Sequence, residues 1–214
     1  NLIKNCFIYN NGEYGLKFYS SGQTNISNNT IRDSALHSNG QNTTRYGHPC
    51  CGGILLASGV NNRAINNIIY DNNDIYQHGI DTGYSATDSL IYNNTIYNVG
   101  LGIQVTKTST GAIITNNIVY QTTHILTQDL GTKSSWNNNL IGVNPQFVNA
   151  ATGDFHLQNG SPAINQGANL YSANVTTDFS GADRPQTGAF EIGAYEYGSS
   201  TTPPPAAPRG LWAR

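Results

Sequence analysis

Six short segments share one phrase: an asparagine, any residue, then isoleucine or an equivalent. They are Asn5-Cys6-Phe7, Asn29-Thr30-Ile31, Asn67-Ile68-Ile69, Asn94-Thr95-Ile96, Asn117-Ile118-Val119 and Asn139-Leu140-Ile141, at intervals of 24, 38, 27, 23 and 22 residues. A period of this length marks a solenoid, in which each repeat buries its apolar face only against its neighbours. After each phrase comes a turn, then a second short strand that usually opens on glycine: Gly15-Leu16-Lys17-Phe18, Gly53-Ile54-Leu55-Leu56, Gly79-Ile80-Asp81-Thr82, Gly102-Ile103-Gln104-Val105 and, with histidine in the glycine place, His124-Ile125-Leu126-Thr127. Copies this far apart are not hairpin partners. The chain circles before it pairs again, so they stack in parallel at about 4.8 Å. The expected fold is all-β, a parallel β-helix of about five to six coils.

Alternation with period two then assigns faces. Leu16, Ile54, Ile80, Ile103 and Ile125 are expected inside, and Lys17, Leu55, Asp81, Gln104 and Leu126 outside. Phe7, Ile31, Ile69, Ile96, Val119 and Ile141 form one expected internal stack, and the asparagines before them a structural amide ladder. Composition agrees. Only 10% of residues are charged, and Asn, Gly, Ser and Thr in place of Lys and Glu favour short strands and tight turns over surface helices.

The formal net charge of -2 gives no reason to expect nucleic acid or an anionic membrane as partner. No stretch approaches the roughly 20 apolar residues of a membrane-spanning helix. Asn1 falls at once into the repeat, with no signal peptide before it, so a processed form or a fragment is expected. Cys6, Cys50 and Cys51 are too few for a disulfide scaffold and too irregular for a zinc site; one bridge or three free thiols both fit.

Three regions follow. Residues 1–142 read as coils, 143–197 as an aperiodic terminal cap, and 198–214 as a Ser/Thr/Pro-rich linker and stub. The 38-residue interval holds one large insertion, about His37 to Gly52, and loops thrown out of a solenoid usually cluster on its working face.

The repeat phrases from Asn5 to Ile141, with Asn144-Pro145-Gln146-Phe147, GDFHL at 153–157, GSPAIN at 160–165, Asp183-Arg184-Pro185 and IGAYEY at 192–197, resemble the secreted bacterial right-handed parallel β-helix proteins. Their relatives include pectate-lyase-like and other polysaccharide lyases. The resemblance implies a secreted or cell-surface protein whose partner is a polysaccharide. It names no single substrate, because catalytic and non-catalytic members share the fold.

A lyase acting on a uronate polymer neutralises the sugar carboxylate, removes the adjacent carbon-bound proton and protonates the leaving oxygen, which asks for a cation, a base and an acid. Lys17, Arg45, His48, His78, Asp81 and Tyr84, with His37 and Tyr46 beside them, are the residues expected to meet on one face. Each alone also reads as a surface charge, a turn cap or a loop anchor. Gln104 extends the row. Ile8, Arg32, Tyr70, Tyr97 and Tyr120 follow the internal stack, and the three tyrosines form an outward stripe suited equally to sugar rings and to holding coils together.

A glycosidase of the polygalacturonase kind needs carboxylates about 5 to 9.5 Å apart. Asp81 has no acidic neighbour in its row, although His78-Gly79 is similar to that family's His-Gly element. No cofactor is assigned; Asp71-Asn72-Asn73-Asp74 offers oxygen ligands for Ca²⁺ but reads equally as a turn. The two expected functions are a polysaccharide lyase and a non-catalytic surface module that binds glycan, adheres or self-assembles, with further domains of the same chain or end-to-end copies of itself as partners.

Overall fold

The structure, a computed structural model, describes residues 1–20, 26–42, 47, 50–186 and 188–199. Among these, three parallel sheets wind into one solenoid. The first sheet holds Leu2–Lys4, Thr30–Arg32, Arg63–Ile65, Leu90–Tyr92, Ile113–Thr115 and Ser135–Asn137. The second holds Phe7–Tyr9, Ala35–His37, Ile68–Asn72, Thr95–Val99, Ile118–Tyr120 and Leu140–Ile141. The third holds Tyr14–Phe18, Cys51–Ala57, Gln77–Gly83, Leu101–Val105 and Ile125–Asp129.

The core is a column of aliphatic layers, among them Ile31, Leu36, Ile54, Ile69, Ile80, Ile96 and Ile103, all fully buried. Register corrects the expected stack in its first two coils. In the second sheet Ile8, Leu36, Ile69, Ile96, Val119 and Ile141 align, whereas Ile31 belongs to the first sheet, between Ile3 and Ala64. Asn29 belongs to a different corner, where it bridges Asn1 and Asn62. Ser34 stands where later coils carry the ladder asparagine, its backbone N–H donating to Asn67 Oδ1. The coils are therefore 28, 33, 27, 23 and 22 residues long.

The two asparagines of the repeat do different work. Asn5, Asp33, Asn66, Asn93, Asn116 and Asn138 turn the corner at φ between +48° and +60°, a left-handed conformation that Asn and Asp tolerate best among non-glycine residues. The next residue forms the ladder. Asn94 Nδ2 donates to Asn117 Oδ1 at 3.0 Å and to Ala64 O at 2.9 Å, and its Oδ1 accepts from Asn67. Buried amides satisfied on both ends add stability, and removing one strands its partners. We expect Asn94→Ala to lower stability by about 2 kcal/mol, read as a shifted urea midpoint with the sheet signal intact.

The last coil also departs from expectation. Ile125 pairs with Leu101, so Leu126 takes the glycine place and packs on the core, while Thr127 and Gln128 align with Ile103 and Gln104. In earlier coils a Cβ at Gly53, Gly79 or Gly102 would strike the carbonyl oxygen of Gly79, Gly102 or Leu126. No further described coil follows Leu126, so a side chain fits there.

Residues 143–199 lie along the side of the solenoid rather than over its last coil. The left-handed asparagines hold them: Asn66, Asn93, Asn116 and Asn138 donate to the carbonyls of Thr177, Glu191, Ala168 and Gln166 at 2.7 to 2.9 Å. Phe155, Ala194 and Tyr195 pack on Ile68, and Leu157, Ala163 and Ile192 pack on Ile118.

Candidate functional site

Register in the third sheet builds two rows. Tyr14, Gly52, His78, Leu101 and Ile125 align at the strand starts, and three residues further on so do Lys17, Leu55, Asp81, Gln104 and Gln128. The middle coil contributes Gly52, at φ +90°, where a Cβ would lie 2.7 Å from His78 O. Gly52 thus stands, without a side chain, in register between Tyr14 and His78. The Tyr14 hydroxyl lies 2.9 Å from Asp81 Oδ2, the same oxygen that meets His78 Nδ1 at 2.6 Å.

Asp81 is buried despite its outward position, and its Oδ1 has no hydrogen-bond partner among the described residues. A buried carboxylate oxygen left unpaired is uncommon and calls for a role. With Nδ1 on Asp81, Nε2 is the free nitrogen of His78, whose side chain is 20% exposed. Burial pulls the imidazole down, but the charge of Asp81 and its hydrogen bond together outweigh it, so His78 titrates above its ordinary value. An imidazole oriented by a carboxylate is the arrangement of a general base.

Lys17 lies beside this group. Its Nζ pairs with Glu13 at 3.0 Å on the surface and sits over the rings of Tyr14 and Tyr19, 5.9 and 5.7 Å from their centroids. Exposed pairs of this kind contribute about 0–1 kcal/mol, so an incoming carboxylate can replace Glu13 at little cost. Lys17, Tyr14, Glu13, Leu55, Cys51 and Tyr84 line a cavity of about 150 Å³. Tyr84, 62% exposed, stands edge-on to Tyr19 at its mouth.

The structure thus brings Lys17, His78, Asp81 and Tyr84 to one face. Gln104 lies in register with Asp81 in the next coil, its amide donating to Gln128 at 2.6 Å. Arg45, Tyr46 and His48 lie outside the described residues; on either side of them, Asn42 donates its N–H to Gly12 O and Cys50 to Gly40 O. His37 lies elsewhere: it is a strand residue of the second sheet, stacked between Tyr9 and Tyr70 at 5.3 and 4.8 Å, with burial lowering its pKa. Tyr14 was missed in the sequence, although it precedes Gly15 as His78 precedes Gly79.

The tyrosine stripe, which includes His37, is a separate row on the second sheet: Tyr9, His37, Tyr70, Tyr97 and Tyr120 align. Phe155 covers Tyr70 and Tyr97, and Phe147 stands edge-on to Tyr97. Burial pushes the Tyr70 phenol up to about 12. Tyr120 lies at the edge of that cover. At the 71–74 turn, Asp71 accepts from Asn98, Asp74 from the Tyr76 N–H and Asn72 from the Asn39 N–H. No group of three or more His, Cys, Asp or Glu converges on a metal position among the described residues. No helix among them is long and apolar enough to cross a membrane.

Cys50 and Cys51 form a disulfide between adjacent residues, and Cys6 is free.

Three parallel sheets wound as one coil, with a polar cluster on an outer face, define a parallel β-helix protein. Residues 3–177 match the family described as "Right handed beta helix region", and the chain belongs to that family. Among solved structures it is similar to a crystal structure of pectate lyase Pel9A, with a TM-score of 0.51 and 15% sequence identity over 92% of this chain and 65% of that one. At that identity the likeness shows the fold alone. No curated protein sequence matches the chain.

Proposed function

We propose that this chain binds an acidic polysaccharide along its third sheet and cleaves it by β-elimination. The observation that carries the reading is the Tyr14–Asp81–His78 cluster, hydrogen-bonded through a single buried carboxylate oxygen beside the cation Lys17. Lys17 would meet the uronate carboxylate and stabilise the charge that grows there as the neighbouring carbon loses its proton. His78 Nε2 takes that proton, and the C–H electrons become the new double bond. The glycosidic C–O bond breaks, and the leaving oxygen takes the proton of the Tyr14 hydroxyl. Asp81 holds His78 in the productive tautomer. Tyr84 and Gln104 flank the chain of sugars, and Arg45 and His48 are proposed to join them. An acidic polymer implies a protein outside the cell, with residues 143–197 covering one side of the coils formed by 1–142.

The test is incubation with polygalacturonate, alginate and chondroitin sulfate, followed by the ultraviolet absorbance of newly unsaturated uronate. Product on at least one polymer supports the reading; none on any, in wild-type protein, sinks it. The pH dependence has a fixed sign. His78 acts only when neutral and its pKa is raised by Asp81, so kcat/KM rises with pH through a midpoint above the ordinary histidine value of about 6.5. A midpoint below that value contradicts the assignment of the base.

A second reading rests on a different observation. Between the tyrosine row and the C-terminal segment lies a cavity of about 280 Å³ lined by Tyr97, Tyr120 and the carboxamides of Gln121, Asn144, Gln146 and Gln158. Phenols and amides with no charged group suit a neutral sugar. On this account the chain is a glycan-binding module, and Tyr120→Ala, not His78→Ala, abolishes retention on a polysaccharide column.

A further inference from the structure

The disulfide joins the insertion to the proposed site. Cys50 is buried, and its N–H donates to Gly40 O at 3.0 Å where the insertion returns. Cys51 donates to Tyr76 O at 2.9 Å, pairs in register with Gln77 and lines the cavity that holds Tyr14 and Lys17. Cys51 and Gly52 then take φ of +81° and +90° in succession. Glycine adopts such a φ freely, whereas cysteine holds it only when its surroundings over-determine it. Cys51 therefore needs an anchor, and the bond to its own neighbour is one. The next residue is Gly52, the in-register neighbour of both Tyr14 and His78, the two groups that meet on Asp81.

We propose that the Cys50–Cys51 bridge is the positioning element of the cleft: oxidised, it fixes the Cys51–Gly52 backbone so that Tyr14, Asp81 and His78 stay hydrogen-bonded, and reduced, it lets that backbone relax and the cluster part. What the cluster does for a glycan rests on the reading above; the coupling between bridge and cluster does not. Reduction by a phosphine balances simply: the S–S bond breaks, each sulfur gains a hydrogen from water, and the phosphine leaves as its oxide.

The experiment uses Cys6→Ser protein, so that no third thiol exchanges. The His78 imidazole is titrated by NMR in the oxidised, phosphine-reduced and reoxidised states, and in a Cys50→Ser/Cys51→Ser variant. Affinity for trigalacturonate is measured in each, with circular dichroism as the check on fold. Reduction is expected to leave the sheet signal unchanged, move the His78 midpoint down towards its ordinary value and weaken trisaccharide binding at least fivefold. Reoxidation restores both, and the double serine variant matches the reduced state. An unchanged His78 titration in the reduced protein overturns the proposal. So does loss of the whole fold on reduction, since the bridge would then be a global staple. If the titration moves while no form binds or cleaves a uronate, the positioning role stands and the lyase reading falls.

Discussion

Replacing His78 with alanine lowers kcat/KM for elimination by about 10²–10⁴-fold, the range that a positioned general base contributes. The loss appears in kcat more than in KM, because the imidazole acts on a proton that moves only in the transition state. Asp81→Asn keeps the shape but removes the charge that holds the His78 tautomer, at 2.6 Å from Nδ1, and it falls in the same direction. Tyr14→Phe separates the acid from the base: it deletes one hydroxyl and leaves the His78–Asp81 contact in place. Lys17→Ala shows the opposite pattern, with KM rising, since its ion-pair partner in the free protein, Glu13, lies at the surface and gives way to an incoming carboxylate. Initial rates on the best polymer check all four, and equal loss in every variant would point to general damage rather than to these roles.

Arg184→Ala is expected to destabilise the protein by about 3–5 kcal/mol, the cost of leaving a buried carboxylate without its ion-pair partner. Arg184 is fully buried. It meets Glu196 Oε1 at 2.5 Å and donates to the carbonyls of Gly193 and Ala194 at 2.8 and 2.9 Å. Its guanidinium also approaches Asn66 Oδ1, tying the C-terminal segment to the left-handed corner of a coil. The variant therefore loosens the segment from the side of the solenoid and exposes Ile68 and Ile118 beneath it. Replacing Arg184 and Glu196 together with methionine recovers much of the loss, because no charge is then stranded. Urea unfolding of the three proteins decides it, and an Arg184→Ala midpoint equal to wild type would show that the pair holds nothing.

The solenoid was legible because its cause is periodic. Each coil needs a left-handed corner and an amide ladder, and Asn-Asn supplies both in the coils from Asn66 onward. The phase of the first two coils was not legible: Ser34 replaces the ladder asparagine, and Asn29 serves another corner. Rows read from period two placed Lys17 and Asp81 on one face. Tyr14 escaped because its contact runs diagonally across two coils, to a residue 67 positions away in sequence. The tyrosine stripe was visible, but its cover by Phe147 and Phe155 was not, since the C-terminal segment follows no period. Leu126 shows the same limit. It breaks the glycine pattern only because no described coil follows to collide with it.

The most direct test of where this chain meets its polymer is NMR of histidine-labelled protein during titration with trigalacturonate. The account predicts that the His78 signal shifts in a saturable way and that its titration midpoint changes in the complex. A trisaccharide that binds without moving the His78 signal contradicts it.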